Sequence, residues 1–171
     1  MRVVLFRHGP AGARDATSWP DDALRPLTSK GEERTRLSAL GLLRLIGADN
    51  VEFVTSPFAR CLLSAQILGE AFSNAPLEPS AALQPGATYR RILKLLNERK
   101  QSHTVVLVGH EPDLGKLAGI LIFGAPSPLP LRKAGACLID FVGPVEPGAG
   151  KLQWFLPPRA LGRLAKRKAH A

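Results

Sequence analysis

Short apolar runs alternate with amphipathic segments along the whole chain, and that alternation narrows the fold more than any other feature. Residues 3–6, 52–55, 104–108, 136–142 and 152–156 read as strands, and helical patterns fall between them. Ser29-Lys30-Gly31-Glu32 reads as a capping box, with Ser29 taking the N3 amide and Glu32 reaching back, opening a helix to about Ile46 that turns Leu37, Leu40 and Leu43 to one side. Ser56-Pro57 reads as a second start, with Ser as N-cap and Pro pre-set for the first helical position, and its helix buries Leu63, Ile67 and Ala71. Tyr89, Ile92, Leu93 and Leu96 keep helical spacing, as do Leu114, Leu117, Ala118, Leu121 and Ile122. Alternating strands and helices predict a three-layer α/β/α sandwich on a mostly parallel central sheet. The Pro/Gly-rich residues 143–150 read as a turn, so the last two strands should form an antiparallel edge.

With 171 residues the chain is long enough for one domain with a substantial core. No apolar run approaches the ~18 residues needed to span a membrane. Arg2 is followed by only four apolar residues before Arg7, which is no signal peptide. The expectation is a cytoplasmic protein that needs no membrane. Cys61 and Cys137 are few and far apart, as reduced, packed thiols would be, although Arg60 beside Cys61 leaves a reactive thiol open. The histidines and cysteines have no metal-ligand spacing, so no metal and no cofactor are expected.

The formal net charge is +9, and Arg159, Arg163, Lys166, Arg167 and Lys168 crowd the end of the chain without an acidic residue. The domain is therefore read as residues 1–158, followed by a solvated basic tail over 159–171. No aromatic residues interleave with these charges, so a nucleic-acid partner is not expected.

Open α/β sheets bind ligands at the carboxyl ends of their strands. Three strands here end in a suggestive group: the first in Arg7-His8-Gly9, the second in Thr55-Ser56-Pro57 with Arg60 just beyond, and a third in Gly109-His110-Glu111-Pro112. If these strands are parallel neighbours, two histidines and two arginines converge on one pocket. Arginine offers a permanently charged fork that matches phosphate oxygens. Histidine can carry a covalent intermediate, and glycine lets a backbone approach a ligand closely.

Together these residues resemble the histidine phosphatase superfamily, the group of the phosphoglycerate mutases. The short length and the segment Arg25-Pro26-Leu27-Thr28-x-x-Gly31 resemble more narrowly its SixA-type phosphohistidine phosphatases. The resemblance implies a phosphoglycerate mutase-like fold and a metal-independent phosphatase. It makes His8 the nucleophile, with phosphate bound by Arg7, Arg60, His110, Arg25 and Gly9. His8 must attack in its neutral form, so a backbone carbonyl near Gly9 should hold its other ring nitrogen.

The segment also departs from the superfamily pattern. Between residues 77 and 99 only Glu78 and Glu98 are acidic, and Gln84 stands where a general acid would be sought. An ester needs that proton, whereas the imidazole of a phosphohistidine can leave already protonated, so a phosphoramidate substrate is favoured. Asp15, Asp21, Asp22 and Asp113 are the other candidate acids, with loop and cap roles as their plainer reading. Little room exists for an insertion over the site, which suits a histidine-phosphorylated protein partner, either a phosphotransfer domain or a phosphocarrier; a monomer would suffice. The alternatives are a broad-specificity small-molecule phosphomonoesterase and a non-catalytic phosphoprotein- or nucleic-acid-binding module.

Overall fold

A six-stranded sheet carries the molecule. Its strands are β1 (Arg2–Arg7), β2 (Val51–Thr55), β3 (Leu77–Pro79), β4 (Thr104–Gly109), β5 (Ala136–Asp140) and β6 (Lys151–Leu156), in the order β3-β2-β4-β1-β5-β6. The computed structural model describes residues 1–99 and 103–166. Arg167 and Lys168 of the expected tail lie outside the described residues. Strands β3, β2, β4 and β1 run parallel, while β5 pairs antiparallel with β1 and β6 antiparallel with β5. The expected antiparallel edge is present. The register sets Arg7 opposite Gly109 and Thr55 opposite Val108, so three strands finish at one edge.

Among the described residues five α-helices cover the sheet: α1 (Ser29–Ile46), α2 (Ala59–Ala71), α3 (Tyr89–Asn97), α4 (Asp113–Phe123) and α5 (Pro158–Lys166). Successive strand side chains point to opposite faces, and β1 shows the consequence. Val4 and Phe6 pack with α1, α2 and α5 through Ala39, Leu42, Leu68 and Leu161. Val3 and Leu5 pack with α3 and α4 through Leu96, Leu114 and Leu117. A strand buried on both faces reads as one continuous apolar run, which is why β1 and β4 are visible in the sequence. The fold is a three-layer α/β/α sandwich.

Several local expectations are corrected. The N-cap of α1 is Thr28, whose side chain accepts from Gly31 N–H, not Ser29. Thr28 N–H itself donates to the Pro10 carbonyl, so the segment after β1 decides which hydroxyl caps the helix. Glu32 pairs with Arg36 rather than reaching back. The buried face of α1 runs through Thr35, Ala39, Leu42 and Ile46, while Leu40 is 45% exposed. Helix α2 begins after Phe58, two residues past the expected proline, and its buried side holds Cys61, Ala65 and Leu68 together with Ile67. Strand β3 was not expected, because Glu78 and Pro79 spoil its pattern; it lies at the sheet edge, where proline is tolerated.

The largest correction concerns residues 159–166, which form α5 instead of a solvated tail. Leu161 is wholly buried against α1, and the Arg44 guanidinium donates to the Leu164 carbonyl at 3.1 Å. Gly41 makes the close crossing possible, since a Cβ there would run into the Leu161 carbonyl. The basic residues hid Leu161 and Leu164, whose spacing marks one helix face.

Candidate active site

The shared strand edge gathers the expected residues. His8 follows β1 and continues its ladder, its N–H donating to the Gly109 carbonyl at 3.1 Å. Its ring is buried, with Nδ1 2.7 Å from the Gly9 carbonyl, the contact expected from the sequence. A carbonyl only accepts, so Nδ1 carries the proton and Nε2 keeps its lone pair. Burial is the main cause that pushes the His8 pKa down to about 3, opposed by the Gly9 bond and assisted by the charges of His110, Arg60 and Arg7. The imidazole is therefore neutral at ordinary pH.

His110 follows β4, and its ring centroid lies 5.3 Å from that of His8. Its Nε2 is 2.9 Å from Ser56 Oγ, and the Phe58 ring meets it edge-on at 5.1 Å. Burial and then Arg60 bring its pKa down to about 4. Cys61 Sγ lies 3.5 Å from the same nitrogen. Cys61 is wholly buried, as the packed-thiol reading expects and a reactive thiol would not be; burial pushes its pKa up to about 12, against the opposing charge of Arg60.

Three arginines surround these rings. Arg7 donates to the Leu131 carbonyl at 2.8 Å, and Arg60 lies over the Phe58 ring at 5.0 Å. Arg7 Nε and Arg60 Nε are both buried without a hydrogen-bond partner among the described residues. Buried donors left unpaired are costly, so the site is built to receive an acceptor. Arg25 donates from Nε to Asp22 Oδ1 at 2.8 Å and from its terminal nitrogen to the Gly12 carbonyl at 2.7 Å.

Asp22 joins two of them. Arg60 reaches its carboxylate at 2.9 Å and its backbone carbonyl at 2.7 Å, while Arg25 holds the other carboxylate oxygen. Burial would raise the Asp22 carboxyl, but the Arg25 hydrogen bond and the Arg60 charge prevail and hold it below the usual carboxylate range. The loop-and-cap reading fits Asp21, which caps the turn Asp22–Leu24, and Asp15, which accepts from Thr17 and Ser18 N–H. It does not fit Asp22. Asp113 accepts from Gly86 N–H, and Gln84 is exposed with its backbone closing a second turn.

Gly9 is placed differently from the expectation that its backbone would meet phosphate. Its N–H donates to Ser64 Oγ at 3.0 Å and its carbonyl is taken by His8. The close approach allowed by its missing Cβ is to Thr35 on α1.

Residues to which the sequence assigned no role complete the wall. Glu111 accepts from Leu131 N–H at 2.9 Å and from Gly115 N–H; burial raises its carboxyl against those bonds. Lys133 is carried to the rim of the site by its loop, whose Ala134 N–H donates to the Arg7 and His8 carbonyls; its side chain is exposed, and partial desolvation and then the charges of Arg7, Arg25 and Arg60 lower its pKa. No pattern around Lys133 announces this, because the loop that carries it has no periodicity. Among the described residues no three His, Cys, Asp or Glu side chains gather as a metal-binding set, and no helix is long and apolar enough to cross a membrane.

This assembly can bind a tetrahedral anion, with a neutral imidazole beside arginine donors. No family model matches the chain. An uncharacterized protein of Picosynechococcus sp. is 38% identical over 138 residues, covering 79% of this chain and 82% of that protein. The protein histidine phosphatase SixA, solved with tungstate, superposes with a TM-score of 0.76 and 26% identity over 94% of this chain and 99% of its own. The fold also matches a mycobacterial glucosyl-3-phosphoglycerate phosphatase complexed with VO3, at TM-score 0.67 and 16% identity over 91% of this chain and 99% of that one. A phosphoserine phosphatase mutant of Entamoeba histolytica gives 0.65 and 14% over 94% and 98%. Sheet order and these likenesses agree: the chain belongs to the histidine phosphatase superfamily.

Proposed function

We propose that this chain is a phosphatase that hydrolyses phosphohistidine on a protein, through a covalent intermediate at His8 and without a metal. The observation that carries the reading is the bond between His8 Nδ1 and the Gly9 carbonyl, which leaves Nε2 as a neutral, oriented nucleophile. His8 Nε2 attacks phosphorus, the P–N bond to the substrate imidazole breaks, and that imidazole leaves with its own proton. Water then attacks the phosphoryl group on His8, releasing inorganic phosphate and restoring the ring. Arg7, Arg60 and Arg25 bear the charge on the phosphoryl oxygens, and His110 donates to one of them.

The choice of phosphoramidate over ester is supported by the carboxyls of the site. Asp22 is held ionised by two arginines, a poor state for a proton donor. Glu111 spends its oxygens on backbone amides. An alkoxide leaving group would lack its acid, a loss of roughly 10²–10⁴-fold. The test compares a histidine-phosphorylated phosphocarrier with p-nitrophenyl phosphate, in EDTA, for the wild type and His8→Ala. Fast release from phosphohistidine that vanishes in the variant is expected. Preference for the aryl ester would replace this reading with the small-molecule phosphomonoesterase.

A further inference from the structure

Beside the site lies a groove of about 1140 Å³, far larger than a phosphoryl group fills, with Arg7 at one end. Three separate segments line it with cations. Helix α1 contributes Lys30 and Arg34, one turn apart. Helix α5 contributes Arg159 and Arg163, again one turn apart, with Lys166 beyond them. The loop before β5 adds Arg132 and Lys133. Among the described residues Glu33 is the one acidic residue in the lining, so these side chains hold a surplus of seven positive charges against +9 for the whole chain.

Apart from Arg7, these cations are exposed, and none is ion-paired among the described residues. Like charges gathered without counter-ions oppose the compact state. Solvated basic faces usually intersperse acids, as α1 does outside the groove with Glu32 and Arg36. Below the charged rim the groove is apolar: Leu37, Pro158 and Gly162 are partly buried between the two helices. Among the described residues no aromatic side chain lines it, so bases would find nothing there to stack on.

We infer that this groove docks an acidic amphipathic helix of the partner protein, apolar side chains on the floor and carboxylates along the rim, and so delivers the partner's phosphohistidine past Arg7 to His8. That the partner bears phosphohistidine rests on the function proposed above; the acidic helix rests on the groove alone. An apolar floor with a cationic rim is the complement of such a helix, and steering by the rim makes association salt-sensitive.

The probe is a synthetic helical peptide with leucines on one face, glutamates flanking them and a terminal histidine, made with and without the phosphoryl group. A second peptide carries lysine for glutamate. Binding to the wild type, to Arg159→Glu/Arg163→Glu and to Lys30→Glu/Arg34→Glu is read by fluorescence anisotropy in low salt and in about 0.15 M salt. The unphosphorylated acidic peptide should bind the wild type, and each double variant should weaken it roughly tenfold or more while turnover of phosphoimidazole stays unchanged. The lysine peptide should not bind. Failure of the acidic peptide to bind, or equal affinity in the wild type and both variants, would overturn the assignment. So would an oligothymidylate of equal charge binding more tightly, which would give the groove to nucleic acid. Variant-dependent binding without hydrolysis of the phosphorylated peptide would sustain the docking surface and remove the proposed substrate.

Discussion

Replacing Gly9 by alanine tests how the nucleophile is held. The new Cβ would collide with Thr35 Oγ1 and lie 3.1 Å from the Gly31 carbonyl and 3.3 Å from Leu27 Cδ2. Thr35 is fully buried, and its hydroxyl is committed to the Gly31 carbonyl at 2.7 Å, so it cannot retreat without losing that bond. Overpacking of this kind costs about 1–3 kcal/mol. The alternative is for the Gly9 peptide to shift, which draws its carbonyl from His8 Nδ1 and its N–H from Ser64. A displacement of ~1 Å at a reacting group is worth on the order of 10²-fold in rate. Urea unfolding reports the first effect, single-turnover phosphoryl transfer from phosphoimidazole the second, and the ¹⁵N shifts of the His8 ring report the tautomer. Adding Thr35→Ala removes the colliding oxygen and should recover much of both losses. Stability within about 0.5 kcal/mol of wild type and unchanged transfer in Gly9→Ala would refute the argument, as would a Thr35→Ala background that gives no relief.

Three further outcomes are expected. His8 and His110 stand at about 3 and about 4 in the folded protein against 6.5 when unperturbed, so the unfolded chain binds more protons between those values. Stability should then be lost as pH falls from 6.5 toward 4, by at most ~2.7 kcal/mol per pH unit for two protons. Urea unfolding across that range measures the slope, which His8→Asn should roughly halve; a flat profile contradicts the buried neutral pair. Asp22→Asn removes a negative charge from Arg60 and Arg25. A unit charge roughly 7 Å from a dianion in a water-like dielectric is worth about 1 kcal/mol, so inhibition by inorganic phosphate should tighten several-fold; weaker inhibition would make Asp22 an organiser of the arginines first. Gly41→Ala drives a methyl into the Leu161 carbonyl, and it should cost about 1–3 kcal/mol and expose α5 to proteolysis, whereas unchanged protection would deny the close helix crossing.

Residues near one another along the chain were legible. Continuous apolar runs marked β1 and β4, and helical spacing marked α3 and α4, because the period of side-chain direction is a local property. The rule that sheets present ligands at their carboxyl ends then placed Arg7, His8, Arg60 and His110 together. Even the Gly9 carbonyl was foreseeable, since it belongs to the residue next to His8.

Contacts between distant segments were not legible. Thr28 and Ser29 are equally able to cap a helix, and the Pro10 carbonyl selects Thr28 only after the chain has folded back. Asp22 resembles its neighbours Asp15 and Asp21 in sequence; two arginines, one of them 38 residues away, make it a counter-ion at the site. Arg159 and Arg163 belonged to a basic tail until Leu161 found its place on α1 and set them across from Lys30 and Arg34. The sequence by itself determined the layered fold and which residues stand at the strand ends, because local periodicity and residue type suffice for both. Tertiary structure alone decided where the charges meet, since electrostatic partnership depends on distance in space, and that distance exists only once the core has packed.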